Sequence, residues 1–211
     1  WMVAAPGLGG LAIGLMARFG SEKIRGHGIP EAIEAILVSG SKVQPRVALL
    51  KPIASAVTIG TGGPFGAEGP IIMTGGALGS IWAQFLHLTA DERKTLLVAG
   101  AAAGMAATFN APLASVLLAV ELLLFEWRPR SFIPVVAAVA VATIVRVPLL
   151  GSGAIFPMPP GTLHLDAAVY GLCIASGIVA GLLALLATTL VYLSEDTFGR
   201  LPIHWMWWPA L

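Results

Sequence analysis

The sequence predicts an all-α, polytopic membrane protein with tilted and broken helices. Three observations carry this. Hydrophobic residues make up 57 % of the 211-residue chain and charged residues 11 %, with a mean hydropathy of +0.87. A soluble domain averages about 45–50 % apolar and about 25 % charged. A soluble core of this size cannot hide so much apolar surface, so lipid must cover part of it. Second, apolar runs alternate with short charged connectors, and several are shorter than the roughly 20 residues a simple span needs. Short runs broken by glycine and proline read as half-helices that end inside the membrane, where they must be buried in protein or line a wet cavity. Third, no run alternates polar and apolar residues over about ten positions, which argues against a barrel.

The elements follow in order. A first apolar stretch runs from Trp1 to Phe19, and a charged patch follows with Arg18, Glu22, Lys23 and Arg25. Gly26-His27-Gly28-Ile29-Pro30 is a turn opening a helix, with Glu31 and Glu34 placed in its first turn, where carboxylates complement the helix dipole. Val47 to Ile59 is apolar but interrupted by Lys51-Pro52. Gly60 to Gly69 is glycine-dense, and Pro70 to Leu88 reads as helix. Thr89-Ala90-Asp91-Glu92 has the form of a capping box, starting a helix through Thr108. Asn110-Ala111-Pro112 restarts another to about Phe125. Arg128-Pro129-Arg130 is a polar break, Ser131 to Val147 is apolar, and Pro148 to Gly161 is a connector. Leu165 to Leu193 is the longest apolar run, closed by Glu195, Asp196 and Arg200. No direct repeat is visible.

Composition also excludes. The formal charge is +1, from 12 basic and 11 acidic residues, without the clustered basic face of a nucleic-acid binder. Cys173 is the single cysteine, so no intrachain disulfide exists. Neither end carries a signal peptide or a natural boundary, and a fragment is expected. His27, His87, His164 and His204 show no metal-ligand spacing. No cofactor is expected. The Gly7-Leu8-Gly9-Gly10 cluster lacks a dinucleotide-binding context and is expected to permit close helix packing.

The chemistry concentrates in Gly62-Gly63-Pro64-Phe65-Gly66-Ala67-Glu68-Gly69-Pro70. Glycines let backbone N–H groups approach a ligand, and Pro70 fits a first helical turn. This describes a helix N-terminus with free amides, which attracts anions. Glu68 stands at that positive end as a tethered anion that protonation would release. Inside a membrane, an ionisable residue is a functional candidate by default. Gly26-His27-Gly28-Ile29-Pro30-Glu31 is a second such helix start, with His27 as a donor that changes charge near neutral pH. A lone histidine is more often a surface or packing residue than a ligand, and His27 in isolation reads that way first. Lys51 either lines an aqueous path, where it raises the potential for anions, or sits at an interface. Glu121, within Leu113 to Leu124, is expected to be buried and partnered. Glu126 with Arg128 and Arg130 reads as interfacial.

At these residues the sequence resembles the CLC family of chloride channels and chloride/proton exchangers. Gly26-His27-Gly28-Ile29-Pro30 is similar to its Gly-Ser-Gly-Ile-Pro motif, and Gly66-Ala67-Glu68-Gly69-Pro70 to its Gly-(Lys/Arg)-Glu-Gly-Pro motif. Gly100 to Pro112 resembles a run ending in Phe-Asn-Ala-Pro, and Leu118-Ala119-Val120-Glu121 the helix after it. Four blocks in order over about ninety residues are a specific signal.

The resemblance implies a polytopic homodimer with a separate anion pore in each subunit. Each subunit has two halves of inverted topology, whose helix N-termini meet the anion. Residues about 1–148 match the first half and about 162–211 the start of the second, so 1–211 is a partial transmembrane domain of this type. It implies transport of chloride or a similar inorganic anion, as channel or anion/proton exchanger, in a multi-pass protein of the cell membrane. Glu68 matches the gating and proton-carrying glutamate. The anion-binding positions are His27, Gly28, Ile29, Pro30, Gly66, Ala67 and Gly69, with Lys51 and Glu121 as supporting electrostatics. Three departures stand out: His27 replaces the motif serine, Ala67 a basic residue, and Leu122 a second glutamate found in many exchangers. The rival readings are an intramembrane enzyme using Glu68 and His27 as an acid–base pair, and an inactive truncated fragment. An enzyme would bring those two side chains within about 3 Å, directly or through a water.

Overall fold

The computed structural model describes residues 4–26, 28–63, 65–153, 155 and 166–204. The described residues are helical with irregular connections and no strand. The chain divides into two units within the 148–161 connector.

The first unit holds seven helices among its described residues. They are α1 (Ala4–Phe19), α2 (Ile29–Leu37), α3 (Pro45–Gly60), α4 (Glu68–Phe85), α5 (Ala90–Phe109), α6 (Pro112–Leu118) and α7 (Pro129–Leu150). A 3₁₀ turn, Glu22–Ile24, precedes α2, and a π-helical segment, Ala119–Leu124, extends α6. The antiparallel pair α4–α5 forms the centre. Helix α3 packs on α4 and α1 on α3, while α6 and α7 pack on α5. Leu97, Ala101, Ala102 and Met105 of α5 are buried, together with Val120, Leu123 and Leu124 behind α6 and Val135 of α7.

Small residues explain the central pair. Lipid tails are as apolar as leucine, so close backbone packing must hold membrane helices together. A Cβ on Gly75 would overlap the Gly100 carbonyl, and one on Gly79 the Leu96 carbonyl. Gly75 and Gly79 lie four apart on α4, and Gly100 and Gly104 four apart on α5, so the two helix backbones touch. The expected packing role of the first glycine cluster also holds: Gly9 and Gly10 are buried, and a Cβ on Gly9 would strike the Thr61 side chain at the end of α3.

Local signals place most boundaries. The Thr89 hydroxyl accepts from the Glu92 N–H at 3.4 Å, and Glu92 Oε2 accepts from the Thr89 N–H at 3.1 Å. This is the expected capping box. Helix α5 ends at Asn110, whose φ of 51° is left-handed, and Pro112 starts α6. Three boundaries differ from expectation. Lys51-Pro52 does not interrupt α3, because an internal proline removes a single ladder bond. Helix α4 begins at Glu68 rather than Pro70, which leaves Pro70 inside the first turn. Since α2 starts at Ile29, Glu31 is in its first turn and Glu34 in its second.

The second unit is α8 (Ala167–Arg200), whose N-cap Asp166 accepts from the Val169 N–H at 2.9 Å. It runs past the expected end at Leu193, because polar residues at a helix terminus need not break the ladder. None of its residues is buried within the unit. At about 1.5 Å per residue, α8 (34 residues) and α7 (22 residues) are both long enough to cross a hydrocarbon core of roughly 30 Å.

Candidate anion site

The two glycine-opened helix starts meet. Gly28 adopts φ 105°, open to glycine at little cost, and a Cβ there would overlap the carbonyl, carbonyl carbon and Cα of Gly69. The N-terminus of α2 therefore rests backbone-to-backbone on the first turn of α4. The first bonds of the two ladders run from Ala32 N–H to the Gly28 carbonyl and from Ile71 N–H to the Ala67 carbonyl, each at 3.0 Å. The amides of Ile29, Glu68 and Gly69 precede them and stand outside the ladders. Two partial positive ends thus converge on one place.

Glu68 is the first residue of α4 and is exposed. Its Oε2 lies 3.2 Å from where a Cβ of Gly66 would stand, so the carboxylate folds back over its own glycine loop. No protein donor among the described residues holds it. A carboxylate at a helix N-terminus without a fixed partner can stay there or leave.

Among the expected anion ligands, Gly69 is buried at the contact with Gly28, while Gly66 and Ala67 are exposed. Ile29 and Pro30 form the first turn of α2, where Pro30 has no N–H to offer. The Gly28 amide donates to Glu31 Oε2 at 2.6 Å, so a protein carboxylate already occupies that amide. His27 lies outside the described residues. So does the geometry of an acid–base pair with Glu68. The described residues bring no three metal-ligating side chains together.

Lys51 reaches the same loop from α3. Only 2 % of it is exposed, and its Nζ donates to the carbonyls of Ile24 and Gly26 at 2.8 Å each, and of Arg25 at 3.4 Å. This buried ammonium ties down the strand of chain that delivers Gly28, with the Glu31 charge nearby. It is a tether within the protein, not a residue at an interface.

Glu121 departs from expectation. It is exposed rather than buried. The inward face of the π-helical segment is made by Ala119, Val120, Leu123 and Leu124, which leaves Glu121 and Leu122 on the outward side. In the next turn, Arg128 Nε lies 3.5 Å from Glu126 Oε2, and Arg130 Nη2 lies 3.1 Å from Glu92 Oε1. The Ser131 hydroxyl donates to Glu126 at 2.7 Å. That bond, with the charges of Lys94 and Arg128, holds the Glu126 carboxyl below its ordinary value.

Two residues escaped the sequence reading. Glu31 passed as a dipole-compensating carboxylate, although its place three residues after Gly28 is the spacing of a reciprocal cap. Arg146 passed unnoticed inside an apolar run, and a charge inside such a run was the available signal. It is 6 % exposed, donating from Nε to the Ala107 carbonyl at 2.8 Å and from Nη1 to the Gly151 carbonyl at 2.5 Å.

Residues 9–211 match the model of the voltage gated chloride channel family. The chain belongs to this family. It is 33 % identical over 209 residues to the voltage-gated ClC-type chloride channel ClcB of Salmonella typhimurium, and 32 % to that of Escherichia coli. Each alignment covers 98 % of this chain and 49 % of the relative, so the chain spans about half the length of the curated relatives it matches. The structure of a slow cyanobacterial Cl⁻/H⁺ antiporter superposes with a TM-score of 0.85 at 24 % identity, covering 99 % of this chain and 50 % of that one. The all-α fold of tilted, partly short helices is thus the family's, and the chain is an integral membrane protein. The four motif blocks all lie within the matched range.

Proposed function

We propose that the protein moves chloride or a similar small inorganic anion across the membrane, through a pore whose outer part the Glu68 carboxylate closes. The observation that carries this is the contact of Gly28 with Gly69. It brings two helix N-termini together, with a carboxylate at one of them that no donor among the described residues holds. The amides of Ile29, Glu68 and Gly69 would solvate the anion. Lys51 and Glu31 would hold the loop that presents it. Glu68 would act as a protonatable plug: ionised it competes with the anion for the same positive ends, and protonated it lets go. Each subunit of a homodimer would hold one such pore. Residues about 1–148 would form one of two inverted halves, with residues from about 162 beginning the other.

The relatives are named both as channel and as antiporter, so coupling is a matter for measurement. The protein, expressed from its complete reading frame, is reconstituted in liposomes and compared with Glu68→Gln and Glu68→Ala. Anion flux rising as pH falls in the wild type, with that dependence lost in both variants, is the expected result. Unchanged flux and unchanged pH dependence in the variants would sink the gate assignment. Proton uptake driven by a chloride gradient marks an exchanger, and its absence during anion flux marks a channel.

A further inference from the structure

We propose that Arg146 is an electrostatic positioning residue for anion entry, cancelling the negative ends of α5 and α7 where α4 presents its positive end and Glu68. The proposal rests on the transport reading above. Its geometry comes from the direction of three helices. Helices α4 and α5 are antiparallel: Gly79 packs on Leu96, Gly75 on Gly100 and Ile71 on Gly104. The last turn of α5 therefore lies beside the first turn of α4, which carries Glu68. Helix α7 runs parallel to α5, since Arg130 meets Glu92 near their starts and Arg146 meets Ala107 near their ends. The C-termini of α5 and α7 thus share one end of the bundle with the starts of α4 and of the short α6, which follows α5 directly, and the α2 start touches that of α4.

Each helix C-terminus carries roughly half a negative charge and an N-terminus roughly half a positive one. Left alone, α5 and α7 would set about one negative charge beside the α4 start, which the single short α6 offsets only in part, and would hold back an arriving anion. Arg146 donates one hydrogen bond to an end carbonyl of each helix, Ala107 of α5 and Gly151 after α7. Its guanidinium stays charged at any working pH. No carboxylate among the described residues forms an ion pair with it. Its charge is therefore set against the two helix ends and not against an acid. The side chain turns inward to α5, the opposite of a snorkelling residue, and buried charge in a membrane helix is otherwise costly.

A purely structural role, satisfying two orphan carbonyls, needs a donor but no charge. Arg146→Gln keeps a donor and removes the charge, while Arg146→Lys keeps the charge. Flux of the complete protein in liposomes is measured against chloride concentration. For Arg146→Gln the half-saturating concentration should rise roughly 3- to 10-fold, the order of effect that removing one unit charge has where screening is between that of water and of a protein interior, with little change in maximal flux. Arg146→Lys should stay near wild type. An impermeant salt should narrow the gap between Arg146→Gln and wild type. Ser152, exposed in the loop after α7, gives a second test that leaves Arg146 in place. Ser152→Asp should raise the half-saturating concentration and Ser152→Lys lower it. Equal losses in Arg146→Gln and Arg146→Lys, or half-saturation unmoved by Arg146→Gln, would overturn the proposal. If Arg146→Gln does not fold, unmoved half-saturation in both Ser152 variants overturns it. A wild-type protein without anion flux overturns the transport reading as well.

Discussion

Gly28 and Lys51 do different work on one loop. Gly28 is held by shape: its φ of 105° and its contact with Gly69 leave no room for a Cβ. Gly28→Ala should lower stability by at least about 1–3 kcal/mol through backbone strain alone. It should also reduce anion flux by separating the two helix starts, which a melting curve in detergent and a liposome assay check together. Lys51 is held by hydrogen bonding. Lys51→Met leaves the carbonyls of Ile24 and Gly26 without their donor, and each buried polar group so orphaned costs about 1–3 kcal/mol. Lower thermal stability with reduced flux is expected, and a variant melting like wild type would contradict the tether. That Lys51 sat in an apolar setting was legible in the sequence. That its head reached three carbonyls some 25 residues upstream was not, because long-range partners leave no local pattern.

At the scale of elements, capping and close packing set the bundle. Thr89→Ala removes the hydroxyl that caps α5 and should cost about 1 kcal/mol. Gly100→Val places a branched side chain against the Gly75 backbone and should cost about 1–3 kcal/mol or more. A fold that tolerates Gly100→Val as well as Thr89→Ala would contradict backbone contact between α4 and α5. The α6–α7 turn is electrostatic. Because Glu126 titrates below its ordinary value of 4.5 in the folded protein, its contribution is present above that pH and is lost as pH falls below it. Detergent-solubilised protein should therefore melt at lower temperature as pH drops below about 4.5, and Glu126→Gln should flatten that dependence. The capping box was readable from the Thr89–Glu92 spacing alone. The outward placement of Glu121 was not, since a π-helical turn resets which side of the helix faces inward.

For the whole molecule, the proposed assembly is a dimer with one pore in each copy. Mass measurement of the complete protein in detergent should give two copies per particle, and a monomer that still transports would remove that part of the proposal. The chain spans about half the length of its curated relatives. Its α8 buries none of its residues within its own unit, as expected of a helix whose packing partners lie elsewhere or in lipid.

The sequence by itself determined the membrane setting, the helical class, the main helix starts and the identity of Glu68 as a carboxylate among glycines. These rest on composition and on signals within a few residues, where local sterics and capping decide. Only the tertiary structure decided that the α2 and α4 starts touch, that Lys51 reaches the loop before α2, and that α5 and α7 end beside the α4 start with Arg146 between them. Those depend on helix direction and on contacts between residues far apart in sequence, from Lys51 with Gly26 to Gly28 with Gly69, which are settled by packing the whole bundle and not by any stretch of it.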